Sequence, residues 1–391
     1  MAPRAPPETL FQAAPLPTAT LGDDERLACL RLIRSENVGP TTFRHAINLY
    51  GGAAEALQAL PDLSLRGGRR AAIRVASISE ARAELEAAAK AGATPVFTIE
   101  PGYPRLLAAI DTPPPMVYVK GRTDLFDLPA VAIVGSRQCS AAGAKLAAQF
   151  AARLADDGFA IVSGFARGID RVAHEASLGR GTIAVLAGGI DSIYPPEHAA
   201  LYEKIASCGA LVSERPPGHI AREKDFPRRN RIIAGLSLGV IVIEAAARSG
   251  TLITARYANE QGREVFAVPG HPLDPRAESV NNLIKSGATM VTSPEDVREA
   301  LAPIIGVRGP CAMREVDQIA PKPQTSHLPD VGAKECAAVL AALGPAPTDL
   351  DGLARATQLT ARDIQIALLE LELAGRVTRP GPGLIARRME D

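Results

Sequence analysis

The sequence predicts an α/β protein: an extended Rossmann-like, doubly wound, mostly parallel sheet, with a small helical domain of the SAM or helix-hairpin-helix type before it and a winged-helix domain after it. Three observations predict this. Between residues 93 and 303, short runs rich in Val and Ile alternate with amphipathic stretches, the texture of parallel strands buried between helix layers. Before them, apolar residues recur at three- and four-residue steps. After them come three segments of helical period and a ribbon folded about Pro and Gly. The 391 residues leave room for two or three cores.

Residues 1–22 begin "MAPRAPPETLFQAAPLPTAT", too rich in Pro and Ala to bury enough surface to offset ordering, and read as a disordered tail. The helical domain, 23–92, opens with "DERLACLRLIRSENVGPTTFRHAINLYGG", broken at Asn37-Val38-Gly39-Pro40. That break resembles the hairpin of helix-hairpin-helix domains, with Asn37 where the motif usually has its first Gly. An ordinary helix-turn-helix packing unit would read the same way.

In the sheet domain, 93–303, "AVAIVGS", "FAIVSG", "TIAVLAGG", "ALVSE", "GVIVIEAA" and "EVFAVPG" read as buried strands. Helical candidates between them include "AAGAKLAAQFAARLADDG", "PEHAALYEKIAS" and "TLITARYANEQG". Residues 304–332 lack periodicity, carry several Pro and read as a linker. The last domain, 333–391, has predicted helices near Lys334–Ala342, Leu350–Ala356 and Ala361–Ala374, then "GRVTRPGPGLIAR", a two-stranded ribbon.

Lys+Arg and Asp+Glu both number 43, so any site for a polyanion must come from local clustering. Cys29, Cys139, Cys208, Cys311 and Cys336 are odd in number and widely spaced, with no CxxC, which argues against a disulfide framework or a zinc site. No signal-peptide core and no run of about 18 apolar residues is present. The expected compartment is the reduced cytoplasm, with no membrane partner.

In open α/β sheets, ligands bind beyond the carboxyl ends of the strands. Gly135-Ser136-Arg137, Ser163 to Gly168 ("SGFARG"), Gly188-Gly189 and Ser249-Gly250-Thr251 occupy four such ends. Small residues there let a ligand approach the main chain, and helix starts favour an anion. Glycines serving only tight connection would give the same spelling. "GSRQCS" lacks the glycines of a dinucleotide fold, and no Walker A loop occurs, so no nucleotide cofactor is expected.

The loops instead bring Arg137, Arg167 and Arg248, joined by the run "REKDFPRRNR" at 222–231. Arginines bind phosphate through a planar fork and stack on bases, so several along a sheet edge suit an extended sugar-phosphate chain. Phe226 sits inside the run, in a chain without Trp, where a ring would stack a splayed base. A core Phe anchoring the loop is the competing role. Lys224, Arg229 and Arg231 are candidates for the phosphate backbone and Asn230 is left without a role. Arg222 and Arg228 fit a solvated face.

An enzymatic alternative is a nucleotide-processing, phosphoribohydrolase-like Rossmann protein. Asp170 and His174 are four apart on a predicted helix, and Glu244 ends an apolar strand. No nucleophile with base and orienter is legible, and the six His are too dispersed for a metal set. Catalytic residues, metals and cofactors are therefore all expected to be absent.

"VAIVGSR", "IVSGFARGIDRVAHEASL", "TIAVLAGGIDSIYPPEH", "LVSERPPG", "FPRRNRIIAGLS", "VIVIEAAARSGTLITARYANEQGREVFAVPG" and "NNLIKSGA", in that order, resemble the bacterial DprA (Smf) family of DNA-processing proteins. The resemblance is strong over about residues 94–300. It implies a sequence-tolerant single-stranded DNA binder that protects incoming strands in natural transformation, loads a RecA-type recombinase and dimerises through the Rossmann-like domain. DNA contacts are carried first onto Gly135, Ser136, Arg137, Lys224, Phe226, Arg229, Asn230 and Arg231. Gly164, Arg167, Gly168, Gly188, Arg248, Ser249 and Gly250 follow as further contacts.

Two features depart from the related patterns. The phosphoribohydrolase loop Gly-Gly-x-Gly-Thr followed by Glu is reduced to Gly250-Thr251 with no carboxylate after it. The predicted recognition helix carries Asp363, Glu370 and Glu372 against Arg362, a poor complement to phosphate, so the winged helix is expected to dock protein.

Overall fold

The computed structural model describes residues 21–246, 249–307, 333–344, 346–381 and 383–388. Most of the expected tail and linker, and Arg248, lie outside the described residues.

Four helices come first: α1 (Asp23–Arg34), α2 (Pro40–Tyr50), α3 (Ala53–Arg66) and α4 (Ile78–Lys90). Pro40 starts α2, where its missing N–H costs nothing. In the hairpin before it Asn37 takes φ of 61°, a left-handed conformation that Asn tolerates better than most residues.

The central domain runs β1 (Thr94–Phe97), α5 (Arg105–Ala108), β2 (Met116–Gly121), β3 (Ala130–Gly135), α6 (Ala141–Asp156), β4 (Ala160–Ser163), α7 (Ile169–Ser177), β5 (Thr182–Val185), α8 (Ala199–Cys208) and β6 (Ala210–Ser213). It continues with α9 (Asp225–Gly235), β7 (Gly239–Ile243), α10 (Gly250–Glu260), β8 (Glu264–Ala267), α11 (Glu278–Lys285), β9 (Thr289–Met290) and α12 (Pro294–Val307). The sheet order is β1-β2-β6-β5-β4-β3-β7-β8-β9. Pairing is parallel except where β2 meets β1 and β6. The chain leaves β3 in one direction for β4 and later returns on its other side as β7, the crossover that opens a crevice at the strands' carboxyl ends.

The strands are apolar throughout because both faces are covered. Val131, Ile133, Ile161 and Ile241 pack with Phe150 and Leu154 of α6, whereas Ala132, Val134, Val162 and Val240 pack with Ile232 and Ile233 of α9 and Ala255 of α10. β1, β2 and β9 were not legible: β9 has only two residues, Pro95 interrupts β1, and three Pro precede β2.

The last domain comprises α13 (Ala333–Ala342), α14 (Leu350–Thr357), α15 (Ala361–Leu373) and the ribbon β10 (Val377–Gly381) with β11 (Leu384–Arg387). Buried residues cover nearly the whole of α15 from Ile364 onward. Leu368 and Leu371 belong to the winged-helix core, whereas Leu369 and Leu373 join the core of α1, α2 and α3. Polar contacts seal the joint. Asn37 Nδ2 donates to Leu373 O at 3.0 Å, Thr42 Oγ1 donates to Glu372 Oε2 at 2.9 Å, and Arg66 lies 3.3 Å from Glu370. The acidic helix thus docks on the chain's own N-terminal helices.

Gly67 is where the two meet most closely: a Cβ there would stand 2.1 Å from Glu370 O. Gly67→Val is expected to push α15 away, at a cost of about 1–3 kcal/mol as overpacking does, and to speed hydrogen exchange along α15. Undiminished protection of α15 would show that this contact does not hold the joint.

Candidate nucleic-acid interface

The basic run leads into α9: residues 222–224 precede the helix and Asp225 to Arg231 form its first turns. Pro227 is accommodated there because amides of the first turn have no partner within the helix. Asp225 begins the helix with its side chain only 1% exposed. It pairs with Arg215, lies 2.9 Å from His219 Nε2 and accepts the Arg222 amide at 3.0 Å. Burial alone would raise its pKa, but these donors outweigh it and hold the carboxyl down to about 2. The loop after β6 is thereby pinned to the start of α9.

Beside α9, above the carboxyl ends of β3, β4 and β5, is a cleft lined by Arg137, Gly164, Arg167, Gly188, Phe226 and Arg229 among others. It encloses only about 30 Å³, far below the several hundred of a pocket that swallows a small molecule, so a ligand must lie across its mouth. The Arg137 guanidinium sits over the Phe226 ring, 5.5 Å from its centroid. On another side Tyr194 approaches the same ring, centroids 5.4 Å apart and planes inclined by 61°. Tyr194 is 50% exposed. It follows Gly188-Gly189 in the loop after β5, and an aromatic in such a loop of a chain poor in rings was the signal that sequence reasoning passed over.

Arg229 departs from its expected role. It is 7% exposed, and its Nη1 donates inward to the carbonyls of Gly164 and Val185. Beneath the same loop Asp170 accepts the amides of Gly164 at 3.1 Å and Ala166 at 3.3 Å. Burial raises the Asp170 pKa against the pull of Arg229, and burial brings Arg229 down to about 10. A Cβ on Gly164 would lie 2.7 Å from the Arg229 guanidinium and 2.8 Å from Asp170 Oδ2, so the glycine is needed for these two buried side chains to fit. Arg229 is therefore a support under the loop rather than an outward phosphate ligand.

Other expected residues fall into four groups. Gly135, Ser136 and Gly168 lie behind Arg137: Gly135 O accepts the Thr251 hydroxyl at 3.1 Å and Ser136 O accepts the Ile169 amide at 3.2 Å. Gly168, with φ of 73°, leaves no room for a Cβ, which would meet Ser136 O at 2.2 Å. Ser249 caps α10, and Asn230 Nδ2 donates to Gly250 O at 3.2 Å, tying that loop to α9. Arg231 is turned from the cleft, toward Glu214 and Thr112 O, and Lys224 is exposed at the helix start without lining the cleft. Gly188 lines the cleft, while its missing Cβ also admits His219 O.

The residues weighed for catalysis are engaged in holding structure. His174 is buried with Nδ1 2.7 Å from Thr182 Oγ1, and burial drives its pKa to about 3, so the ring is neutral. Glu244 accepts the amide and hydroxyl of Ser140, the N-cap of α6. Among the described residues, no helix is long and apolar enough to cross a membrane.

Comparison with known proteins shows three family-model matches. The model for DNA recombination-mediator protein A matches residues 94–302, that for a DprA-like N-terminal HHH domain matches 23–87, and that for a DprA winged-helix domain matches 320–381. Protein Smf of Synechocystis is 38% identical over 314 residues, spanning 74% of this chain and 78% of its own. DNA processing protein DprA of Streptococcus pneumoniae is 46% identical over 206 residues, spanning 52% and 73%. The X-ray structure of the S. pneumoniae protein superposes with a TM-score of 0.60 at 36% identity, covering 71% of this chain and 97% of that one. A structure of DNA processing protein A from Helicobacter pylori, solved for its single-stranded DNA binding mode, gives a TM-score of 0.50 at 29% identity, covering 54% and 96%.

Proposed function

We propose, from the premise that this chain belongs to the DNA recombination-mediator protein A family, that it binds single-stranded DNA with little sequence preference across the cleft beside α9. The observation that carries this reading is the Phe226 ring at the cleft mouth, flanked by the Arg137 guanidinium and the Tyr194 ring. A base can stack on a ring whatever its identity, while arginine neutralises the adjoining phosphate. The cleft's small volume supports a strand lying over it rather than a buried nucleotide.

In this reading Arg137 and Arg167 meet phosphates. Gly135, Ser136, Gly164 and Gly168 shape the loops that present them, and Arg229 and Asn230 fix those loops to α9. The protein protects incoming DNA in the cytoplasm during transformation, hands it to a RecA-type recombinase and acts as a homodimer through the sheet domain. The family resemblance supports these last steps.

Fluorescence anisotropy with oligo-dT over a salt series tests the cleft. Arg137→Ala is expected to weaken binding and, with one phosphate no longer neutralised, to reduce the slope of log K against log salt by about 0.7. Unchanged affinity and slope would remove Arg137 from the interface. Mass measurement of the complex checks the dimer.

A further inference from the structure

The basic run serves two faces of α9, and the cleft uses only one. Phe226 and Arg229, three apart, face the cleft. Arg228 and Arg231, also three apart, face a separate and larger groove of about 910 Å³. Its walls come from all three domains: the α1–α2 hairpin, the sheet domain around Arg215, Arg228 and Arg231, and the winged helix around Arg379 and Arg388.

We propose that this interdomain groove is a second phosphodiester site, receiving the continuation of the same single strand that crosses the cleft. The proposal rests on the cleft reading above. Six arginines line the groove, Arg34 included, against the carboxylates Glu214 and Glu372. Four of the six are already paired, with Glu84, Asp225, Glu214 and Glu372. Arg228 and Arg388 are exposed, and no carboxylate pairs with either among the described residues. A wide groove with charged walls and two uncompensated guanidiniums on opposite domains suits an extended polyanion; a small anion would be gripped by neither side. Because only a helix of about 10–12 Å diameter separates groove from cleft, one strand can engage both. The paired arginines keep their geometry through their carboxylates, so the walls are formed before DNA arrives.

The test uses the full chain with Arg228→Glu and Arg388→Glu combined. Both residues are exposed, and an unchanged thermal transition confirms folding. Anisotropy is measured with a short oligo-dT of about 6 nucleotides, a long one of about 30, and a blunt duplex. The expected result is unchanged affinity for the short strand and at least a tenfold loss for the long one. The long strand's salt slope should fall by about 1.4, at about 0.7 for each phosphate no longer neutralised. Equal affinity of variant and wild type for the long strand would overturn the groove site while leaving the cleft intact. Loss on the duplex alone would also overturn it, assigning the groove to double-stranded DNA. If wild type binds neither oligo-dT, the cleft reading itself fails.

Discussion

Arg229→Ala is expected to lower the free energy of unfolding by about 3–5 kcal/mol, because it removes a buried cation from the neighbourhood of Asp170 and leaves the Gly164 and Val185 carbonyls without their donor. Arg229 and Asp170 hold the loop after β4 from beneath, Asp170 through the Gly164 and Ala166 amides and Arg229 through the Gly164 carbonyl, which it ties to the Val185 carbonyl at the end of β5. Without the guanidinium, only the hydrogen bonds from Gly164, Ala166 and Ser163 oppose burial, so the Asp170 pKa rises further above the unfolded value. A group so shifted is protonated in the folded state over a range where the unfolded chain has released the proton. The variant's stability should therefore increase as pH is lowered from 8 to 5, and fall as pH rises. Urea unfolding at the two pH values measures this. Adding Asp170→Asn to Arg229→Ala should recover part of the loss. A variant with a deficit independent of pH and unrelieved by Asp170→Asn would show that the pair does not carry the loop.

Phe226→Ala is expected to weaken binding of oligo-dT by about 1–3 kcal/mol, or roughly 5- to 150-fold, with little change in melting temperature. The ring is only half-buried, and Arg137 and Tyr194, which flank it, both stand at the cleft. The competing role, a core residue anchoring the loop, makes the opposite forecast. Under it, melting temperature drops and affinity stays. Anisotropy and a thermal scan on the same preparation separate the two.

The parts of the fold that were legible were those with a one-dimensional signature. The strands from β3 to β8 are buried on both faces, so each stands out as a continuous apolar run. The three C-terminal helices follow their apolar period to within a residue or two of Ala333–Ala342, Leu350–Thr357 and Ala361–Leu373. For the candidate site, strand-end loops with Gly and Arg pointed to the edge of the sheet where the cleft lies. What the run "REKDFPRRNR" could not reveal was which basic residue faces which way. Its charges conceal a helix, and on a helix adjacent letters part company: Arg228 is exposed, Arg229 is buried among carbonyls, and Arg231 reaches Glu214. Arg229 has the spelling of a phosphate ligand and the burial of a core residue; only the long-range partners, Gly164 and Val185, tell them apart. Tyr194 escaped for a related reason, since its approach to Phe226 joins the loop after β5 to α9, thirty-two positions on in the sequence.

The docking of α15 makes the two ends of the chain one inheritance. Leu369 and Leu373 complete an apolar core that α1, α2 and α3 do not close by themselves. Shortening the gene after the sheet domain would therefore do more than subtract a module. It would leave a bare greasy scar on the opposite end of the protein, at a joint whose partners lie more than three hundred residues apart.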